Sequence, residues 1–120
     1  MAKFNIDYDK ESDDLFLYSE KKSKGSIEIG DVVLDFDNKG ILVGIEFLNT
    51  IQFLKNSVTK EVKNLVNKNF LSNLVKCEVQ TKQQNNFLFV KIILTGKKTK
   101  ISCPINAPLI EETSPALAYT

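Results

Sequence analysis

Apolar and polar residues alternate in short runs through roughly the first fifty positions of the chain. Phe4, Ile6 and Tyr8 alternate with Asn5 and Asp7, the period-two signature of a half-buried strand. An acidic turn from Asp9 to Asp13 separates it from Leu15–Tyr18, a second strand with apolar side chains on both faces. After a polar, Lys-rich loop from Glu20 to Gly25, Ile27 and Ile29 flank Glu28 in a third strand that breaks at Gly30-Asp31. Val32, Leu34 and Phe36 carry a fourth, with Val33 and Asp35 on its other side. Asp37-Asn38-Lys39-Gly40 is a hairpin signal, because Asn and Gly accept the positive φ of tight turns. In the fifth strand Ile41, Val43, Ile45 and Phe47 face one way, and Leu42, Gly44, Glu46 and Leu48 the other. Gly44 weakens that strand unless a bulge or a close neighbour needs the space.

From Thr50 the period changes. Ile51, Leu54, Val58, Val62, Leu65 and Val66 sit at helical spacing, with Lys60, Lys63, Asn64 and Asn67 on the wet face. The spacing predicts one or two helices over about 50–70, with a break near Asn56-Ser57 and Ser57 capping the second piece. The Asn and β-branched residues here are weak helix formers, so the segment depends on packing against a sheet. Alternation returns after Leu74: Val75, Cys77, Val79 and Thr81 oppose Lys76, Glu78, Gln80 and Lys82, and Gln83–Asn86 turns the chain. Phe87–Leu94 is apolar on both faces apart from Lys91, as in a central strand. Thr95–Lys98 turns again into Thr99, Ile101 and Cys103. Pro104, Pro108 and Pro115 predict that the last strand ends near 104 and that 105–120 is an extended or disordered tail. The expected fold class is α+β: an antiparallel β-meander of about five strands, one or two helices, then a three-stranded antiparallel meander. A single domain over 1–104 is expected, because neither half alone buries its apolar faces well.

Composition narrows the chemistry. The 120 residues include 16 Lys but no Arg, no His and no Trp. Without His, imidazole-activated nucleophiles and imidazole metal sites are excluded; without Arg there is no bidentate fork for phosphate or carboxylate. Cys77 and Cys103 stand far apart in no metal-ligand spacing, which reads as two reduced, half-buried thiols; the alternative is a disulfide between neighbouring strands. No cofactor is expected. The N-terminus has no apolar leader, and no apolar run approaches the roughly 20 residues of a bilayer span, so the expected location is the cytoplasm, without membrane association.

Three ordered blocks are more specific than their periodicity. Ile6-Asp7-Tyr8-Asp9-Lys10-Glu11-Ser12-Asp13-Asp14-Leu15-Phe16-Leu17, then Ile29-Gly30-Asp31-Val32-Val33-Leu34-Asp35-Phe36-Asp37, then Gly40-Ile41-Leu42-Val43-Gly44-Ile45-Glu46-Phe47-Leu48-Asn49 resemble the YuzE-like family, domain of unknown function 2283. The resemblance spans about 6–50. Thr50 stands where that family often has Ala, and the added β-rich half is similar in layout to longer archaeal-type members. It implies a small α+β domain and no established activity. Some relatives are encoded beside toxin-like genes, which makes an antitoxin-like regulatory role a guess from that resemblance.

Four constellations bear on function. Asp35-x-Asp37-x-Lys39-Gly40, followed by Glu46, mimics the count of a calcium loop, but Lys39 falls where a ligand oxygen is needed and the segment has strand periodicity, so it reads as a hairpin and no metal is expected. Asp7, Asp9, Glu11, Asp13 and Asp14 form an acidic turn that reads first as a solvated turn, and otherwise as a site for a hard cation or a basic partner. Glu46, in mid-strand, must be paired or protonated if buried, and Lys is the only strong cation the chain offers it; a structural contact or interface role is expected of it, with a ligand-facing acid as the alternative. Lys91, Lys97, Lys98 and Lys100 lie near Phe87 and Phe89, and cations beside strand aromatics can hold phosphates and stack bases; with no Arg and a net charge of +1, nucleic acid is the lesser expectation. Charge is divided along the chain. Residues 1–50 carry 11 acids against 6 Lys, and 51–120 carry 10 Lys against 4 Glu. Opposite halves and a strand needing cover on both faces point to a homodimer. The function expected is therefore a small non-catalytic protein-interaction or regulatory module. Nucleic-acid association is the alternative, and a metal-dependent enzyme the least favoured.

Overall fold

The computed structural model describes residues 2–109. In chain order these form β1 (Ala2–Asp9), β2 (Asp14–Tyr18), β3 (Gly25–Ile29), β4 (Val32–Phe36), β5 (Leu42–Phe47), α1 (Thr50–Ser57), α2 (Lys60–Lys63), α3 (Lys68–Ser72), β6 (Lys76–Gln84), β7 (Phe87–Thr95) and β8 (Lys100–Pro108). The strands make one curled antiparallel sheet in the order β3-β4-β5-β2-β1-β6-β7-β8. The five-strand, helix, three-strand layout read from the alternation is the one that forms. β1 joins its two parts by changing partner: Asn5–Asp9 pair with β2, whereas Ala2–Phe4 pair with β6.

Period-two patterning puts one face of every strand into a single core. Leu15, Leu17, Leu34, Ile45 and Phe47 line it from the first five strands, and Cys77, Ile92, Leu94, Ile101 and Cys103 from the last three, all almost wholly buried. Each such Leu, Ile or Phe side chain stabilises the fold by about 1.5–3 kcal/mol relative to exposure. The helices add Leu54, Val66 and Leu71 to the same cluster, and Phe53 of α1 lies 5.3 Å, ring centre to ring centre, from Phe47.

The helical segment breaks into three short pieces. Val58-Thr59 and Asn64–Asn67 interrupt it, as residues with poor helix propensity do. Ser57 does not cap the second piece: it is the last residue of α1, and its hydroxyl donates to the carbonyl of Phe53 at 2.9 Å. The side-chain cap falls instead to Asn67, whose Oδ1 accepts from the Phe70 N–H at 2.8 Å at the start of α3. α1 starts after Asn49, which gives no side-chain cap and has φ 52°. Its cap comes from the distant β1–β2 turn, where Asp13 Oδ2 accepts from the Ile51 N–H at 3.1 Å and the Asp13 carbonyl accepts from the Thr50 N–H and hydroxyl.

The last strand does not stop at Pro104 but continues to Pro108. Pro104 and Pro108 share one parity on a strand at the edge of the sheet, where alternate N–H groups point away from the partner and a missing donor breaks no ladder bond. Of the expected tail, 110–120 lies outside the described residues. Cys77 and Cys103 are buried free thiols on β6 and β8, with β7 between them. Two strand spacings put them roughly 10 Å apart, beyond disulfide reach, so the neighbouring-strand disulfide is not formed. Among the described residues no helix is long and apolar enough to cross a membrane.

Candidate functional site

The side of the sheet away from the core carries the chain's unexplained chemistry. On the first five strands, cross-strand pairing sets Glu28, Val33, Glu46, Phe16 and Asp7 in one row. Ser26, Asp35, Gly44, Tyr18 and Asn5 form the next row. Carboxylates thus alternate with apolar side chains, and the Phe16 and Tyr18 rings stack with centres 4.9 Å apart. Glu46 is half-buried here, and its neighbour is an acid rather than the lysine expected from composition. Burial, followed by the charge of Asp35 and a hydrogen bond shared with it, holds the Glu46 carboxyl above its ordinary range. Asp35 in turn accepts from the Ser26 hydroxyl at 2.6 Å. Gly44 is the floor of this arrangement. A Cβ there would lie 2.9 Å from Asp35 Oδ2 and 3.3 Å from Phe16 Cε1, so the close neighbour that the strand glycine called for is an acid and an aromatic ring.

The acidic candidates therefore separate by role. Asp13 is committed to the fold: besides capping α1 it accepts from the Tyr8 hydroxyl at 2.6 Å, and burial, followed by this bond, pushes the Tyr8 pKa upward. Asp9 closes its turn by accepting from the Ser12 and Glu11 amides, which hold its carboxyl below the usual range. Asp7, Asp14 and Glu46 remain on the outer face. Asp37 is a hairpin residue, accepting from the amides of Ile41 and Lys39 at 2.9 and 2.8 Å, and these depress its pKa. Gly40 supplies the positive φ, 78°, of that hairpin.

The last three strands present a different surface on the same side. Pairing across β6, β7 and β8 puts Lys82, Phe89 and Asn106 in one row, and Gln80, Lys91 and Pro104 in the next. Gln84, Phe87 and Pro108 lie beyond one end, and Lys76, Thr95 and Lys100 close the other. Phe87 and Phe89 are 46% and 38% exposed, side by side with ring centres 6.2 Å apart. Glu78 also lies on this face and is bridged by Lys76 at 3.5 Å. A shallow depression of about 380 Å³ opens beside Phe89, between Lys82, Lys91, Ser102 and Asn106.

Of the four lysines singled out in the sequence, Lys91 stands next to Phe89, and Lys100 lies at the far end of the same face. Lys97 and Lys98 occupy the β7–β8 turn instead. There they rim a separate cleft of about 410 Å³, lined by Asn64, Asn67 and Asn73 and floored by Phe70. Lys82 was missed by sequence reasoning. Its position follows from the tight turn at Asn85 (φ 55°) and Asn86, which sets Lys82 opposite Phe89.

Comparison with known proteins agrees with the blocks quoted above. Residues 5–50 match the family model described as "Protein of unknown function (DUF2283)". Over 102 residues the chain is 35% identical to "Uncharacterized protein MJ0789" of Methanocaldococcus jannaschii, covering 82% of this chain and 80% of that one. No solved structure matches the chain.

Proposed function

We propose that this chain, which belongs to the DUF2283 family of proteins of unknown function, is a non-catalytic protein-interaction module that works through the outer face of its sheet. The observation that supports this reading is the division of that face. Strands β1–β5 present Asp7, Glu28 and Glu46 around Phe16 and Tyr18, while β6–β8 present Lys82 and Lys91 around Phe87 and Phe89. Each half pairs one sign of charge with stacked aromatic rings, so each complements the other on a second copy. With a net charge of only +1, little overall repulsion opposes their approach. A single curled sheet turns both halves outward, so the contact is made between molecules, head to tail.

Two neutralised variants test this. Lys82→Ser/Lys91→Ser keeps only the acidic face, and Asp7→Asn/Glu28→Gln keeps only the lysine face. These side chains are exposed and have no hydrogen-bond or ion-pair partner among the described residues, so both variants fold. At low salt the natural chain is expected to exceed its 13.6 kDa monomer mass in light scattering. Each variant alone stays monomeric, and the mixture gives a one-to-one complex at twice that mass. The complex weakens above about 0.5 M salt, as the Debye length shrinks from about 10 Å at 0.1 M toward about 3 Å at 1 M. A natural chain that stays monomeric at high concentration, or a mixture that gives no complex, defeats the reading.

A further inference from the structure

We propose that the outer face of β6–β8 is a platform for single-stranded nucleic acid, with bases stacked on Phe87 and Phe89 and phosphates held by Lys82 and Lys91. The proposal goes beyond the protein-interaction reading and needs only the lysine half of the face that reading invokes. Phe87 and Phe89, 46% and 38% exposed, neighbour each other on the middle strand of the three, where their rings can be reached by a ligand. Their centres are 6.2 Å apart with planes inclined by 29°, a loosely stacked pair that offers exposed aromatic surface to a ligand. Successive bases along a duplex strand rise by only about 3.4 Å and are stacked on each other. Rings spaced nearly twice as far apart suit bases that have been unstacked and spread, as in a single strand.

The neighbours complete the chemistry. Strand pairing brings Lys82 and Asn106 to either side of Phe89, with Gln80 and Lys91 one row along. The depression beside Phe89, about 380 Å³, has the size of a small-ligand site. Its Gln80, Ser102 and Asn106 side chains offer both donors and acceptors to a base edge. Glu78, on the same face, is paired with Lys76 at 3.5 Å. Lys100, opposite Thr95, adds a further lysine at the far end of the same face. Because the cations are all lysines, they act on phosphates as point charges rather than as bidentate forks. Binding of this kind tolerates sequence changes and falls steeply with salt.

The test is fluorescence anisotropy of labelled 12-nucleotide single strands (oligo-dT, oligo-rU and a mixed sequence) against a duplex of the same length. Single strands are expected to bind at least about tenfold more tightly than the duplex. With three or four phosphates neutralised, affinity falls about 20- to 50-fold between 50 and 200 mM salt. Phe87→Ala/Phe89→Ala is expected to weaken binding by about tenfold or more in a protein that still melts cooperatively. Lys82→Ser/Lys91→Ser should lower both the affinity and the salt slope. Absence of binding at 50 mM salt overturns the proposal. Equal affinity for duplex or for a poly-glutamate peptide also overturns it, as does indifference to the phenylalanine substitutions. Asp7→Asn/Glu28→Gln keeps the platform while cancelling self-association. If it binds oligonucleotide but forms no mixed complex, the platform stands and the protein-interaction reading falls; the reverse result removes the platform alone.

Discussion

Gly44→Ala isolates the geometry under the outer face of the first five strands. In a strand interior, alanine should be the better residue, favoured over glycine by roughly 0.5–1 kcal/mol through backbone entropy. Here the new Cβ would meet Asp35 Oδ2 at 2.9 Å, Asp35 Cβ at 3.3 Å and Phe16 Cε1 at 3.3 Å. The Asp35 carboxylate cannot swing aside freely, because the Ser26 hydroxyl holds it at 2.6 Å and Glu46 shares a hydrogen bond with it. The Phe16 ring is likewise backed by Tyr18 at 4.9 Å. Overpacking of this kind costs about 1–3 kcal/mol. Set against the entropic gain, the net loss is about 1–2 kcal/mol, or a melting temperature lower by roughly 4–8 °C. Thermal melts and urea titrations of the four proteins in a cycle with Asp35→Ala measure it. Removing the carboxylate should relieve most of the cost of Gly44→Ala, giving a coupling of about 1 kcal/mol. A Gly44→Ala protein as stable as the natural chain, or additivity within about 0.3 kcal/mol, would refute the close-contact account.

Three further outcomes follow from the same contacts. Glu46→Gln should stabilise the protein near pH 7 by about 0.2–1 kcal/mol, the scale of a cross-strand pair, and do little near pH 4. The Glu46 pKa is raised on folding, so the natural chain binds an extra proton and loses stability as pH climbs above the ordinary carboxyl value; melts across pH 4–8 showing no such trend would contradict this. Asp13→Ala removes the acceptor of the Ile51 N–H and the Tyr8 hydroxyl at a position with φ 59° and should cost about 2–3 kcal/mol in urea unfolding. Asp13→Gly, which loses the bonds but not the backbone fit, should cost about 1 kcal/mol less, and equal losses would show that the φ constraint is inert. Burial pushes the Cys77 and Cys103 thiols up to about 12 and about 11, so both should resist a disulfide reagent at pH 8 until the protein unfolds; rapid labelling of either native thiol, or finding none free, counts against the fold.

The order of elements was legible because it rests on local rules: alternation for the strands, Asn and Gly for the hairpins, and a change of period at Thr50. What escaped were features that depend on register or on distant partners. Glu46 asked for a neighbour, and composition offered only lysine; the pairing of β4 with β5 supplies Asp35 from eleven residues upstream. The acidic turn looked uniform in the sequence, yet Asp13 and Asp9 are consumed by backbone amides and the Tyr8 hydroxyl while Asp7 faces solvent. Pro104 signalled a strand end under a rule that fails at the edge of a sheet, and whether a strand lies at an edge is set by topology. The lysine platform was half legible, since the Phe87–Lys91 alternation was plain and Lys82 joins it only once the turn at Asn85-Asn86 is counted through.

The family segment and the rest of the chain meet in β1, and that junction carries a last prediction. Residues 5–50 end just inside α1, so the five-stranded unit they describe has an apolar inner face on every strand and little to cover it. Here the cover comes from Leu54, Val66 and Leu71 and from the inner residues of β6–β8, while Ala2–Phe4 pair with β6. A unit this small buries at best about 60% of its unfolded surface and is marginal even with a complete core. A fragment ending at Ser57 would leave Leu15, Leu17, Leu34 and Ile45, now almost wholly buried, facing water. It is therefore expected to be either unfolded by far-UV circular dichroism or oligomeric by sedimentation, with copies covering one another's inner faces. A folded, monomeric fragment with a cooperative melt would show that the first five strands carry their own stability and that the C-terminal strands are an addition to the fold rather than half of its core.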